Sequence, residues 1–224
     1  MEAKIFEYDK NWEAMFKAEA KKLKKALGKN CVYIQHIRDT SFKNQVCVLD
    51  GKLKIFILIC VKKLDGVAPD SLSELGYKQD VYEGYKKDGE TDIILWFVDN
   101  VTSSCQESSS AELSLRNYMI VHPEKAKEYS EYKAKAVSES EDRMSVISAE
   151  EKFLDNLRPE IDKWTKEQSN ISMGISLGIC FGMSIGLAIG SAMGNTAVGM
   201  TTGMSIGMCL GVAFAYSKNK NNNG

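Results

Sequence analysis

The stretch QHIRDTSFKN, residues 35–44, gathers the side chains best suited to chemistry: the imidazole of His36, the guanidinium of Arg38 and the hydroxyls of Thr40 and Ser41. An arginine beside two hydroxyls supplies the donors that an anion needs, and the alternative is an ordinary solvated loop. His36 is either a remnant of acid–base chemistry or a structural residue preceding a strand. The carboxylates nearest the apolar run KIFILICV are Asp50, in an expected hairpin turn, and Asp65, past the end of the run. Neither belongs to an Asp-x-Asp pair of the kind that collects a divalent cation. The six cysteines form no CxxC pair and no His lies at metal-ligand spacing, so they read as reduced, mostly buried thiols. His122-Pro123 reads as a helix-breaking turn. The expectation is no catalytic set, no metal and no cofactor.

Residues 1–168 must build the frame for this stretch. They hold all 30 acidic residues and 27 of the 29 basic ones, a slight acidic excess with no basic arm, which excludes nucleic acid as a partner. Trp12, Phe16, Ala20, Leu23 and Leu27 recur at the period of one helix face; Asn11 is placed to cap that helix and Gly28 to end it. QVCVLDGKLKIFILICV reads as a β-hairpin about Asp50-Gly51, with KIFILICV, apolar on both faces, as a central strand. SLSELGYKQD suggests a short helix running into a turn. GYKQDVYEG and DIILWFVDN suggest two further strands, and SSCQESSS a polar loop. AELSLRNYMIVHPEKAKEYSEYKAKAV is helical with a break near Pro123, and SESEDRMS is a solvated linker. Ser148 and Glu151 form a capping box opening a last helix, kinked at Pro159. This order predicts an α/β (α+β) domain large enough to bury its own core.

Two strings carry a resemblance. YDKNWEAMFKAEAKKLKKALG is similar to the N-terminal helix signature of the GrpB family. LRNYMIVHPEKAKEYSEYKAKA resembles that family's helical string at Arg116, Tyr118, His122, Pro123, Ala126, Tyr129 and Lys133. The likeness covers residues 4–157 and implies a nucleotidyltransferase-like mixed sheet flanked by helices; the candidate ligand-binding residues are His36, Arg38, Thr40, Ser41 and Arg116. The family's polar positions are altered here. Its Gly-Ser turn is Arg38-Asp39, its metal-binding Asp is Phe56, its histidine strand is TDIILWFV, its Asp after Phe-Arg is Asn117, and a late Lys is Glu150. A turn that brings backbone N–H groups to a phosphate is obstructed by an arginine side chain, and a phenyl ring offers Mg²⁺ no oxygen. The resemblance therefore implies a retained scaffold with its catalysis lost.

From Gln168 to Ser217 the chain carries no charge, and glycine recurs every fourth residue at 174, 178, 182, 186 and 190, then at 199, 203, 207 and 211. In water each such glycine would cost a helix about 0.5–1 kcal/mol relative to alanine. In a bilayer, small-xxx-small stripes let helices approach closely. Ile171–Met193 and Ala197–Tyr216 are each long enough to span, joined by a turn at Gly194-Asn195-Thr196. The expected organisation is a domain at 1–168, a glycine-zipper transmembrane hairpin at 169–217 and a polar tail at 218–224. Gly174, Gly178, Gly182, Gly186, Gly190, Gly199, Gly203, Gly207 and Gly211 are its expected packing residues. Lys163, Lys166, Lys218 and Lys220 at both flanks place the N-terminal domain and the C-terminus on the cytoplasmic side, with Trp164 and Tyr216 as interfacial anchors. The expected partners are the lipid bilayer and, through the stripes, a second copy; no particular nucleotide or protein partner is indicated. Three functions follow as alternatives: a membrane-tethered binding or scaffold module, a nucleotidyltransferase with a rebuilt site, or a membrane oligomer.

Overall fold

The computed structural model describes residues 4–44, 46–48, 52–80, 84–99, 103–139 and 142–221. It divides into two compact units, Met1–Arg158 and Pro159–Gly224. In the first unit β1 (Lys4–Phe6) leads to α1 (Asn11–Leu27), β2 (Cys31–Ile37), β3 (Val46–Val48) and β4 (Lys54–Val61). Then come α2 (Pro69–Glu74), β5 (Lys78–Asp80), β6 (Gly84–Lys87), β7 (Asp92–Asp99), α3 (Ser103–Val121) and α4 (Pro123–Glu139). Helix α5 (Arg143–Ala192) continues into the second unit, where α6 (Thr196–Asn221) follows it.

Five strands form a mixed sheet in the order β2-β4-β7-β6-β5. β4 and β7 are parallel, with Phe56 opposite Ile94, and the other pairs are antiparallel. β4 is central, as its uninterrupted apolar sequence predicts: a strand covered on both faces gains nothing from polar alternation. On one face Ile55, Ile57, Ile59 and Val61 meet Trp12, Leu23 and Leu27 of α1, and all are buried. Within that contact lies Glu19, which is 4% exposed. It accepts hydrogen bonds from the Tyr77 hydroxyl (3.0 Å), Lys87 Nζ (2.8 Å) and Lys22 Nζ (2.9 Å). A buried carboxylate is tolerated when its lone pairs are filled this way.

Several local expectations change. The runs on either side of Asp50-Gly51 do not pair with one another: β3 pairs antiparallel with β1 in a separate two-stranded sheet, while β4 joins β2 and β7. The turn residues themselves lie outside the described residues. The hairpin prediction fails because β4's apolar backbone gains more from two buried neighbours than from a short local partner. Asn11 does not cap α1. It is the first helical residue, and Asp9 accepts from its backbone N–H (2.8 Å) and its side-chain amide (3.2 Å). Gly28 does end α1, with φ of 51°. SSCQESSS is helical from Ser103 onward and forms the start of α3 rather than a loop. Ser148 and Glu151 lie inside α5, which opens instead at Asp142, whose carboxylate accepts from Ser145 N–H at 3.0 Å. Pro159 stands inside α5 without ending it, at the division between the units.

Candidate functional site

His36 and Ile37 close β2, paired with Ile57 and Phe56 of β4. His36 is therefore a strand residue, not one preceding a strand. The chain then reverses through Arg38 into a single 3-10 turn, Asp39–Ser41, closed by Ser41 N–H and Oγ–H donating to the Arg38 carbonyl (2.9 and 2.6 Å). Arg38 has φ 66° and ψ −169°, a backbone region reserved almost wholly for glycine, and among the described residues it is the sole non-glycine with positive φ. This is the position at which the GrpB resemblance expects glycine. The backbone shape of a glycine turn is kept while the side chain is an arginine.

That conformation decides where the guanidinium goes. It lies 4.9 Å from the Trp96 ring centroid and 5.9 Å from that of Phe56, and its Nη2 meets Glu112 Oε1 of α3 at 2.8 Å. Arg38 and Ser41, expected to share an anion, instead bond inside their own turn and across to α3. Thr40 is 2% exposed and His36 is 7% exposed. Thr40 Oγ1 lies 2.9 Å from His36 Nε2 and 3.5 Å from the Lys54 carbonyl oxygen, within hydrogen-bond reach of both. The ring also stacks on Phe16 at 5.0 Å. Burial first, and the Arg116 charge second, bring the His36 pKa down to about 4, against a smaller opposing pull from Glu13. A neutral imidazole hydrogen-bonded to Thr40 and stacked on Phe16 packs against the turn.

Arg116 donates from Nη1 to Gln35 Oε1 (2.8 Å) and to the His36 carbonyl (3.0 Å), fastening α3 to the end of β2. Its Nε and Nη2 donate to Asn117 Oδ1 at 3.1 and 2.7 Å. Sequence reasoning missed a second cluster beside it. Asp39 Oδ2 takes Lys133 Nζ at 2.6 Å and Oδ1 takes the Tyr129 hydroxyl at 2.9 Å, while Lys133 also reaches Glu150 Oε1 at 3.2 Å. Tyr129 additionally hydrogen-bonds Glu150. Burial would raise the Asp39 pKa, but the Lys133 charge and the two hydrogen bonds outweigh it and hold the carboxyl below its usual range. Tyr129 and Lys133, four apart on one face of α4, were the available signal. They point at Asp39, the residue after Arg38.

The two clusters flank a cavity of about 30 Å³ lined by Arg38, Asp39, Glu112, Arg116, Tyr129 and Glu150 among others. That is room for one or two waters. Arg38 Nε and Glu112 Oε2 have no hydrogen-bond partner. Burial raises the Glu112 pKa, against the pull of Arg38. Among the described residues no group of three His, Cys, Asp or Glu side chains is arranged to hold a metal.

In the second unit the glycines of α5 face those of α6. A Cβ on Gly174 would collide with the Gly211 carbonyl oxygen, on Gly178 with that of Gly207, on Gly182 with that of Gly203 and on Gly186 with that of Gly199. Gly190 meets the chain at Asn195 and Thr196. Gly194, with φ 71°, makes the turn, and Asn195 Oδ1 accepts from Val198 N–H at 3.2 Å to cap α6. At the open end Asn170 Nδ2 donates to Asn219 Oδ1 (2.7 Å), and Asn219 Nδ2 to the Glu167 carbonyl (3.2 Å). Met144–Ala192 and Thr196–Lys220 are long and apolar enough to cross a membrane by length and composition. Large side chains such as Phe181, Ile185, Leu210 and Phe214 are exposed.

Comparison with known proteins agrees with the first unit. The family profile described as GrpB protein matches residues 2–159. Among solved structures, the crystal structure of conserved protein GrpB from Enterococcus faecalis is similar in fold, with a TM-score of 0.50 and 23% identity over 68% of this chain and 98% of that one. No curated protein matches the chain.

Proposed function

Because this chain belongs to the GrpB family through residues 2–159, we propose that its first unit is a catalytically silent GrpB domain, held at a membrane by α5 and α6 as a binding or scaffold module. One observation carries the reading. Arg38 lies with its guanidinium against Phe56, the residue at the expected metal-carboxylate position, and ion-pairs with Glu112. A fixed cation thus occupies the neighbourhood where such a site needs a metal and a phosphate. Asp39, at the next position, is already committed to Lys133 and Tyr129. A nucleotide phosphate would have to displace an internal ion pair and approach Asp39, and both steps oppose binding. The anchor reading rests on the two apolar helices and their exposed aliphatic surface. It places both termini on the cytoplasmic side, since Lys163 and Lys166 precede the first span and Lys218 and Lys220 close the second. Each glycine stripe is taken up by the other helix of the same chain, which favours an anchor over a stripe-built oligomer.

Calorimetry with ATP, GTP, CTP and UTP in the presence of Mg²⁺ tests the silent site on the full chain in detergent. No heat of binding is expected, and micromolar magnesium-dependent affinity for any of them would restore the nucleotidyltransferase reading. Alkaline carbonate washing tests the anchor: the chain should stay with the membrane. Cysteines introduced at positions 168 and 217 should both be labelled only from the cytoplasmic side.

A further inference from the structure

The helix pair is two-faced. Of the residues one past each seam glycine, Ile175, Ile179, Met183, Met200, Met204 and Val212 are half-buried while Leu187, Ser191 and Met208 are exposed, whereas every residue one before a seam glycine stands exposed. The exposed set borders an open apolar groove of about 900 Å³ whose floor is the glycine seam. We propose that this groove binds an anionic glycerophospholipid, one acyl chain lying along the seam and the phosphate meeting Lys218 and Lys166. The proposal rests on the membrane-anchor reading.

Charge complementarity at one end of the groove identifies the occupant. Along α6 the exposed ridge runs Ile206, Leu210, Phe214, and its next member at the same spacing is Lys218, about 40° further round. On α5, Lys166 precedes the ridge residue Leu177 by eleven residues, three turns, which brings it within about 20° of the same face. Both lysines are exposed. Beyond the last groove residues at this end, Gly174 and Phe214, the helices are joined by the neutral Asn170–Asn219 pair, and Lys166 and Lys218 stand near it in sequence. The opposite end, at Gly194-Asn195, carries no charge. An apolar trough with positive charge at one mouth matches an amphiphile with an anionic head.

Length adds a restriction. The seam from Gly174 to Gly190 is about 24 Å long, whereas the acyl region of one leaflet is about 15 Å deep. A chain entering from the lysine end therefore fills the half bordered by Leu177, Phe181, Ile206 and Phe214, and stops short of Val198 and Met193.

The test carries the full chain into vesicles of equal parts phosphatidylglycerol and phosphatidylcholine, releases it in mild detergent and counts retained lipid by native mass spectrometry. Phosphatidylglycerol should be kept in preference to phosphatidylcholine. Lys218→Gln and Lys166→Gln should each lower that preference about fivefold, the effect of one cation near an anionic head. Lys220→Gln, about 200° round from Lys218, should leave it unchanged. Ile206→Trp should displace the lipid by filling the occupied half, and Val198→Trp should not. Equal retention of the two lipids, an equal effect of Lys220→Gln, or a protein dimer in place of bound lipid would each overturn the proposal. A chain released by alkaline carbonate would instead overturn the anchor reading on which it stands; an integral chain without lipid preference overturns this proposal alone.

Discussion

Arg38 is a backbone conflict held in place by its side chain. Its φ of 66° costs a non-glycine residue about 1–3 kcal/mol, and the contacts with Glu112, Trp96 and Phe56 offset that strain. Arg38→Ala keeps the strain and loses the contacts, whereas Arg38→Gly loses both. The glycine variant should therefore be more stable than the alanine variant by about 1–3 kcal/mol, read from denaturant unfolding of the full chain in detergent. Equal stabilities would mean that the turn relaxes once the guanidinium is gone. His36 gives a second residue-scale prediction. Its folded pKa of about 4 lies below the ordinary 6.5, so the unfolded chain binds the extra proton first as pH falls. Stability should be unaffected by this group above pH 6.5, fall between pH 6.5 and 4 by up to about 3 kcal/mol, and level off below. Glu112, whose pKa burial raises, works in the opposite direction over part of that window. His36→Gln keeps a hydrogen-bonding group beside Thr40 without a titrating one and should flatten the decline; an unchanged slope would assign it to carboxylates instead.

At the scale of elements, the α5–α6 seam depends on hydrogen atoms where other residues have a Cβ. The contacts at Gly178–Gly207 and Gly182–Gly203 are carbonyl to α-carbon, so even alanine has no space there. Gly182→Ala together with Gly203→Ala should push the helices toward the about 8–10 Å interaxial distance of ordinary pairs. Spin labels on the exposed Cys180 and Cys209, with the four remaining cysteines replaced by serine, would read the change as a longer label–label distance. Membrane insertion should persist, because alanine transfers into hydrocarbon at least as readily as glycine. An unaltered distance would show that the seam has slack.

For the molecule as a whole, the prediction concerns separability. Among the described residues, the core cluster of the first unit runs from Trp12 to Leu95. A chain ending at residue 168, the boundary suggested by the last charges, should stay in solution and melt in one cooperative transition. It keeps all of Met1–Arg158 and a short run of α5. Aggregation or a transitionless melt would mean that the tail contributes to folding of the first unit.

How much of this was legible in the sequence depends on the range of the interaction. The α1 stripe, the central β4 strand, the break at Pro123 and the four-residue glycine period are local patterns, and a regular backbone turns each directly into a face or an end. The failures were also local in origin. SSCQESSS has the composition of a loop, yet it forms the start of α3, and Asp50-Gly51 has the composition of a hairpin, yet its flanking strands find partners elsewhere. The candidate site shows the same limit. Sequence alone, through the GrpB resemblance, led to the expectation that Arg38 and Phe56 stand where a glycine and a metal carboxylate belong. Only the tertiary structure decided that Arg38 keeps the glycine backbone shape, covers Phe56 and pairs with Glu112, and that Asp39 meets Lys133 across 94 positions of chain. Charge pairing in a buried pocket is settled by which elements the whole fold brings together, and no spacing along the chain encodes that distance.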